Sequence, residues 1–182
     1  AREIMLRKGF DPDKIDVIYN SLDYAKQSAL RDKLGANDRA RTRARLGIPE
    51  DSIVLLSIGR LVDKLKLDQA IESVSRLNAQ DKNVYLLIIG DGPERDALMR
   101  KAESLAAKRH VIFYGACHNE DELSLLYNAC DLSMAMGKVG LSVMHSLAYG
   151  VPMLTNNTIE THGPEIEAII EGKTGWLFEE DN

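Results

Sequence analysis

The sequence predicts an α/β fold, a doubly wound parallel sheet with helices on both faces, and three observations carry that reading. Two apolar runs, Ile53 to Ile58 and Val84 to Ile89, lack the in-out alternation of a strand with one wet face, so they read as parallel strands covered on both sides. Each run leads into a segment whose apolar residues recur at helical spacing. Strand after strand then meets a glycine, at Gly59, Gly90, Gly115 and Gly137, where folds of this kind bind ligands beyond the strands' carboxyl ends. One glycine merely permits a tight turn; four at equivalent places point to a shared cleft.

Taken in order, a first strand is expected over residues 15 to 19, ended by Asn20, Ser21 and Leu22, with a polar helical region from Asp23 to about Leu34. The basic residues between Arg39 and Arg45 alternate with Asp38, Ala40, Thr42 and Ala44 and read as a solvated helix face. After Ile53 to Ile58, the residues Leu67, Ile71, Val74 and Leu77 mark a helix; after Val84 to Ile89, Leu98, Ala102 and Leu105 mark another, opened by Pro93. Val111 to Tyr114 precedes a helix carrying Leu123, Leu126 and Tyr127, and Leu132 to Met136 precedes the next.

That next segment, Met136 to Thr155, holds the most functional information. Gly137 and Gly140 free the backbone, and a helix opens with unpaired amides, an arrangement suited to an anion. Leu141, Met144, Leu147 and Ala148 are expected to pack, leaving Ser142, His145, Ser146 and Tyr149 to face a ligand. Gly150 and Pro152 stop the helix before a short strand, Met153 to Thr155. A turn from Gly172 to Gly175 leads to Trp176, Leu177 and Phe178.

Composition narrows the classes. With 182 residues, 45% hydrophobic and 28% charged, the chain has enough apolar material for one compact domain over residues 1–182. A net charge of -5 argues against a nucleic-acid surface, which draws on clustered Lys and Arg. No apolar run approaches the roughly 20 residues that span a bilayer, and no signal-peptide core opens the chain, so a cytoplasmic location is expected. Cys117 and Cys130 stand in no metal-ligand or Cys-x-x-Cys spacing and read as reduced thiols, with no metal or cofactor expected. The abrupt start at AREIMLRKGF and stop at FEEDN read as a piece of a longer protein. Metalloprotease, P-loop and G-x-S-x-G motifs are absent.

Several residues are candidates for chemistry. Arg60, Lys64 and Lys66 follow Gly59, so at least one cation should project toward the crevice, with a phosphate as its natural partner; the alternative for each is a solvent-facing loop. A charge-assisted hydrogen bond contributes about 1.5 to 3 kcal/mol and a helix end about 0.3 to 1, so cations would set affinity and the helix would orient. The GDGPER turn lacks the third glycine of a dinucleotide loop, since Arg95 stands there, and reads as a turn and helix start. His145 is either a donor to a ligand hydroxyl or a packing residue. Glu167 either accepts from hydroxyls near the loop that begins at Asn156 or faces solvent.

VIYNSLD at 17–23, LLSIGRLVDKLKLDQAI at 55–71, LLIIGDGPERDAL at 86–98, VIFYGACHNEDELSLLYNACDLSM at 111–134, GLSVMHSLAYGVPMLT at 140–155 and EAIIEGKTGWLF at 167–178 together resemble the nucleotide-sugar half of glycosyltransferase family 4. The resemblance covers nearly the whole chain. It implies a GT-B enzyme of two Rossmann-like domains, with the donor on this C-terminal one and the acceptor, a saccharide or a lipid-linked group, largely on the absent N-terminal one. It implies retaining transfer from a UDP- or GDP-sugar without a metal, in cell-surface polysaccharide or glycolipid assembly, either in the cytoplasm or peripherally at the inner face of the membrane. Transfer by the isolated fragment is not expected.

The resemblance also implies roles. Arg60 matches the diphosphate-binding arginine, the loop from Tyr114 through Gly115 and Ala116 to His118 would lie near the base, and Lys138, Val139, Gly140, Leu141 and Ser142 near the donor sugar and phosphates. Two positions depart from the family. Its lysine five residues after the arginine falls on Leu65, flanked by Lys64 and Lys66, with Lys66 next to the family-like Leu67 and Asp68. Its paired glutamates fall on Gly137 and His145. Those departures keep two further readings open: a non-catalytic nucleotide-sugar-binding module, and a nucleotide-sugar epimerase on the same scaffold.

Overall fold

Six parallel strands form one sheet, whose runs over 54–57 and 84–89 are covered on both faces. The computed structural model describes residues 2–16 and 22–180. In chain order it contains α1 (Arg2–Arg7), α2 (Tyr24–Arg31), α3 (Ala36–Leu46), β1 (Ile53–Ile58), α4 (Leu67–Asn78), β2 (Val84–Ile89), α5 (Arg95–Ser104), β3 (Val111–Gly115), α6 (Glu120–Asn128), β4 (Leu132–Ala135), α7 (Leu141–Ala148), β5 (Met153–Asn156) and β6 (Gly175–Phe178). The strand order is β3-β2-β1-β4-β5-β6, the doubly wound order whose direction reverses between β1 and β4.

Side-chain alternation sends β1 and β2 into two cores. Leu55, Leu86 and Ile88 pack with Leu67, Ile71 and Val74 of α4 and Leu98 of α5. Val54, Leu56, Tyr85, Leu87 and Ile89 pack on the opposite face with Leu123, Leu126 and Tyr127 of α6. A third cluster joins Val139 and Val143 to Met153, Ile166 and Ile169, seating α7 against β5 and the segment after it. Among the described residues no helix is long and apolar enough to cross a membrane.

Three expectations need correction or limitation. The Arg39 to Arg45 stretch is helical, in α3, but only part of it is a solvated face: Arg41 and Arg45 are exposed, whereas Arg39 and Arg43 turn inward. Arg43 is 2% exposed and donates to the carbonyls of Ala129, Glu50 and Ser52 and to Asp131, while Arg39 donates to the carbonyls of Asn128 and Cys130 and pairs with Asp131. These guanidiniums fasten α3 to the entry of β4, a use of Arg that five fixed donors permit.

The packing face of α7 is also rotated from expectation. Leu141 is 44% exposed, whereas Ser146 and Tyr149 are buried. Ser146 Oγ lies 2.7 Å from Ser133 Oγ and 2.7 Å from the Val151 carbonyl, and Tyr149 stacks on Tyr127 at 4.8 Å between ring centroids. A hydroxyl that finds local partners buries at little cost, which periodicity cannot foresee. The strand expected at 15–19 falls mostly outside the described residues; Ile15 and Asp16 are described and lie in no strand.

Candidate functional site

At the point where the sheet reverses direction, β1 and β4 lie side by side and their following loops diverge and then meet again. Gly137 N–H donates to the Leu65 carbonyl and Lys138 N–H to the Lys64 carbonyl, each at 3.2 Å. These two bonds join the loop after β1 to the loop after β4. A Cβ on Gly137 would stand 2.1 Å from the Lys64 oxygen, so only glycine permits this approach. The β2 end is fitted in the same way, since a Cβ on Gly90 would meet the Gly59 oxygen at 1.8 Å and one on Gly92 would meet the Leu61 oxygen at 2.3 Å. The GDG turn is thus a packing device for the Gly59 to Leu61 backbone, and Glu94 N–H closes it on the Leu61 carbonyl at 3.1 Å.

A small cavity at this junction is lined by Ser57, Leu65, Ala135, Lys138, Ser142 and neighbouring residues. Leu65, at the place of the family's lysine, turns inward and packs against the α4-side core. The cations around it part company. Arg60 and Lys64 stand exposed, without an ion pair among the described residues. Lys66 occupies a left-handed conformation, φ 48°, at the start of α4, and its Nζ pairs with Glu180 Oε1 at 2.8 Å. Glu180 also accepts from the Thr158 hydroxyl, and these contacts hold its carboxyl below the usual range, the Lys66 bond contributing most. Lys138 is exposed beside the cavity, and the amides of Gly140, Leu141 and Ser142 at the start of α7 make no hydrogen bond among the described residues.

The loop carrying Lys138 is held from behind. Asn156, fully buried, donates from Nδ2 to the Met136 carbonyl at 2.9 Å and to that of Gly137 at 3.3 Å. Val139 N–H donates to His162 Nδ1 at 3.1 Å, and the Val139 carbonyl accepts from Gly163 at 2.8 Å. Because Nδ1 accepts, the His162 ring proton sits on Nε2, which faces Asn156 oxygens at 3.0 Å. Burial pushes the His162 pKa down, in keeping with this neutral form.

The remaining candidates are dispersed. Gly115, with φ 92°, ends β3 and its carbonyl accepts from Gly90 N–H at 2.8 Å, so Gly59, Gly90 and Gly115 abut. Ala116 is exposed. Tyr114 donates to Glu122 Oε1 at 2.6 Å, with Arg45 paired to the same carboxylate; that bond, with burial second, pushes the Tyr114 pKa up to about 12. His145 turns toward α2, where Gln27 Nε2 lies 3.4 Å from its Nδ1. Glu167 stands exposed on a 3-10 segment, Pro164–Ala168.

Sequence reasoning passed over Glu165. It is 8% exposed, and its Oε2 lies where Cβ atoms on Gly163 and Gly140 would come within 2.4 and 3.9 Å. It is therefore the buried acid nearest the start of α7, and its neighbourhood of glycines was the available signal. Asn156 and His162 were also passed over, because nothing in TNNTIETHG marks which polar groups turn inward.

Residues 38–182 match the family model described as Glycosyl transferases group 1. The lipopolysaccharide core biosynthesis glycosyltransferase LpsE of Rhizobium meliloti is 31% identical over 123 residues, 68% of this chain and 34% of that protein. D-inositol 3-phosphate glycosyltransferase of Mycobacterium bovis is 30% identical over 163 residues, 85% of this chain and 31% of that protein. The chain thus spans about a third of the length of these curated relatives. Among solved structures, Anabaena Alr3699/HepE in complex with UDP and glucose superposes with a TM-score of 0.76 at 20% identity, covering 98% of this chain and 46% of that one. The same protein in complex with UDP-glucose superposes with a TM-score of 0.74 at 21% identity, covering 100% and 48%. The fold is that of GT-B glycosyltransferase structures.

Proposed function

The chain belongs to the Glycosyl transferases group 1 family, and from that membership we propose that it is the C-terminal, donor-binding domain of a family 4 retaining glycosyltransferase. Its ligand is a nucleotide-diphosphate sugar carrying UDP or GDP. Its acceptor is a saccharide or lipid-linked group in cell-surface polysaccharide or glycolipid assembly, gripped mainly by a second domain. The lipopolysaccharide relative and the UDP and UDP-glucose complexes of the Anabaena protein support this reading.

One observation carries it. At the switch point between β1 and β4, the loop after β1 carries Arg60 and Lys64 and is hydrogen-bonded to the loop after β4, which carries Lys138 and leads into the three open amides at the start of α7; none of these three cations has an ion pair among the described residues. Breaking the bond from sugar to phosphate puts negative charge on the leaving diphosphate, and fixed cations and amides stabilise that charge most where it develops. In this scheme Arg60 holds the diphosphate and the backbone from Gly137 through Ser142 holds the sugar and phosphates. Lys64 and Lys138 are the mobile cations, while Lys66 must leave Glu180 before it can take part. Gly59, Gly115 and Ala116 shape the edge toward the base, and His145 and Glu167 are offered to hydroxyls.

A second reading has its own observation. Leu65 fills the place of a cation, and Gly137 leaves no room for an acid, which favours a module that binds nucleotide sugar without transferring it. Thermal shifts with UDP, GDP, ADP and NAD test the binding that both readings share. The expected result is stabilisation by UDP or GDP over NAD; indifference to all four contradicts the donor assignment. Transfer or hydrolysis by the longer protein then separates the two.

A further inference from the structure

Gln27 lies 2% exposed on α2, and its amide reaches residues of α6 and α7 that are distant in sequence. Its Nε2 stands 3.3 Å from Glu120 Oε2 and 3.4 Å from His145 Nδ1. Glu120, at the start of α6, accepts the Tyr149 hydroxyl on the same oxygen. A carboxylate oxygen engaged in this way presents lone pairs only, so the edge of the Gln27 amide turned toward it must be the NH2. One N–H goes to Glu120, and the other, on the same nitrogen, faces His145 Nδ1. That ring nitrogen must therefore be bare, and the proton must sit on Nε2.

Two features say that this arrangement is more than filling. The Gln27 Oε1 is buried with no hydrogen-bond partner among the described residues, a costly state that the reverse orientation of the amide would not relieve without setting oxygen against oxygen at Glu120. His145 Nε2, in contrast, makes no hydrogen bond among the described residues, and the ring is half-buried, so its donor is left available.

We propose that Gln27 is the positioning residue for His145. The Glu120–Gln27 pair locks the imidazole with its proton on Nε2, so that His145 offers an N–H donor to an acceptor oxygen of the nucleotide sugar. This rests on the donor-site reading of His145 given above.

The test is NMR of the chain labelled with 15N-histidine, His145 being assigned by loss of its signals in His145→Gln. The expected spectrum shows Nε2 protonated and Nδ1 bare. In Gln27→Leu, which keeps the volume and removes the donor, and in Glu120→Gln, which frees the amide to rotate, the two nitrogen shifts should converge as the tautomers mix. UDP-glucose affinity should fall about 3- to 10-fold in Gln27→Leu, the loss of one well-placed hydrogen bond. A wild-type proton on Nδ1, or unchanged His145 signals in both variants, overturns the lock even if UDP-glucose binds. A changed tautomer with unchanged affinity overturns the role toward ligand. UDP-glucose that fails to bind the wild-type chain, with the tautomer as expected, overturns the donor-site reading and with it the ligand half of the proposal, leaving the lock as packing alone.

Discussion

Tyr127 illustrates how a single atom can be at odds with its surroundings. Its ring is fully buried and stacked on Tyr149, but its hydroxyl has no hydrogen-bond partner among the described residues, and burial pushes the phenol's pKa far up. An unpaired buried hydroxyl costs about 1 to 3 kcal/mol. Tyr127→Phe is therefore expected to stabilise the chain by about 1 kcal/mol in a urea titration, and a loss of stability would reveal a partner for the oxygen. Gly137 presents the opposite case. Its φ is unremarkable, so Gly137→Ala adds only the methyl, which must displace the Lys64 carbonyl 2.1 Å away. The expected destabilisation is about 1 to 3 kcal/mol, the usual range for overpacking. An Ala variant as stable as the wild type would mean that the two loops are not joined in solution.

The elements that frame the crevice were legible to different degrees, and the reasons are physical. The two six-residue strands, β1 and β2, announce themselves because burial on both faces leaves a nearly unbroken apolar run, interrupted in β1 only by Ser57. The glycines that end them were equally legible, and close backbone contact accounts for Gly90 and for Gly92 beyond it. What sequence could not supply was direction. On α7 the buried and open faces were exchanged for Ser146, Tyr149 and Leu141, because the hydroxyls of Ser146 and Tyr149 found partners inside. On α3 the arginines were drawn inward by carbonyls at the entry of β4 that are 86 and more residues away in sequence. The loop from Met136 to Gly140 depends on a partner of this hidden kind, His162. Its pKa lies below the ordinary value because burial opposes charge, so the unfolded chain binds this proton more readily than the folded one. Its contribution is complete above the unfolded value of about 6.5 and is lost as pH falls below it. Stability measured by denaturant should decline as pH is lowered through that window, and His162→Gln should flatten the decline; an unchanged slope would mean that His162 does not titrate with folding.

At the scale of the whole molecule, the doubly wound order puts one crevice at the β1 and β4 boundary, and the loops that meet there carry Arg60, Lys64, Lys138 and the open amides of α7, an order that the sequence of motifs shows. The filling of the crevice was not legible, since Leu65 and Gly137 look in sequence like gaps in a pattern and in three dimensions form a joined pair of loops that leaves only a small cavity. In the proposed reading, a nucleotide sugar lies across the mouth, against Arg60 and the α7 amides, or separates the loops, and its diphosphate supplies the charge they meet. The most direct measurement is the thermal shift of wild-type and Arg60→Ala chains with UDP and with uridine. At 100 times its dissociation constant a ligand adds about 2.7 kcal/mol, which for a domain of this size raises Tm by roughly 5 to 10 °C. The account predicts such a rise for UDP with the wild type, little for uridine, and a loss of most of the UDP effect in Arg60→Ala. No rise with UDP, or a rise that Arg60→Ala leaves intact, would contradict it.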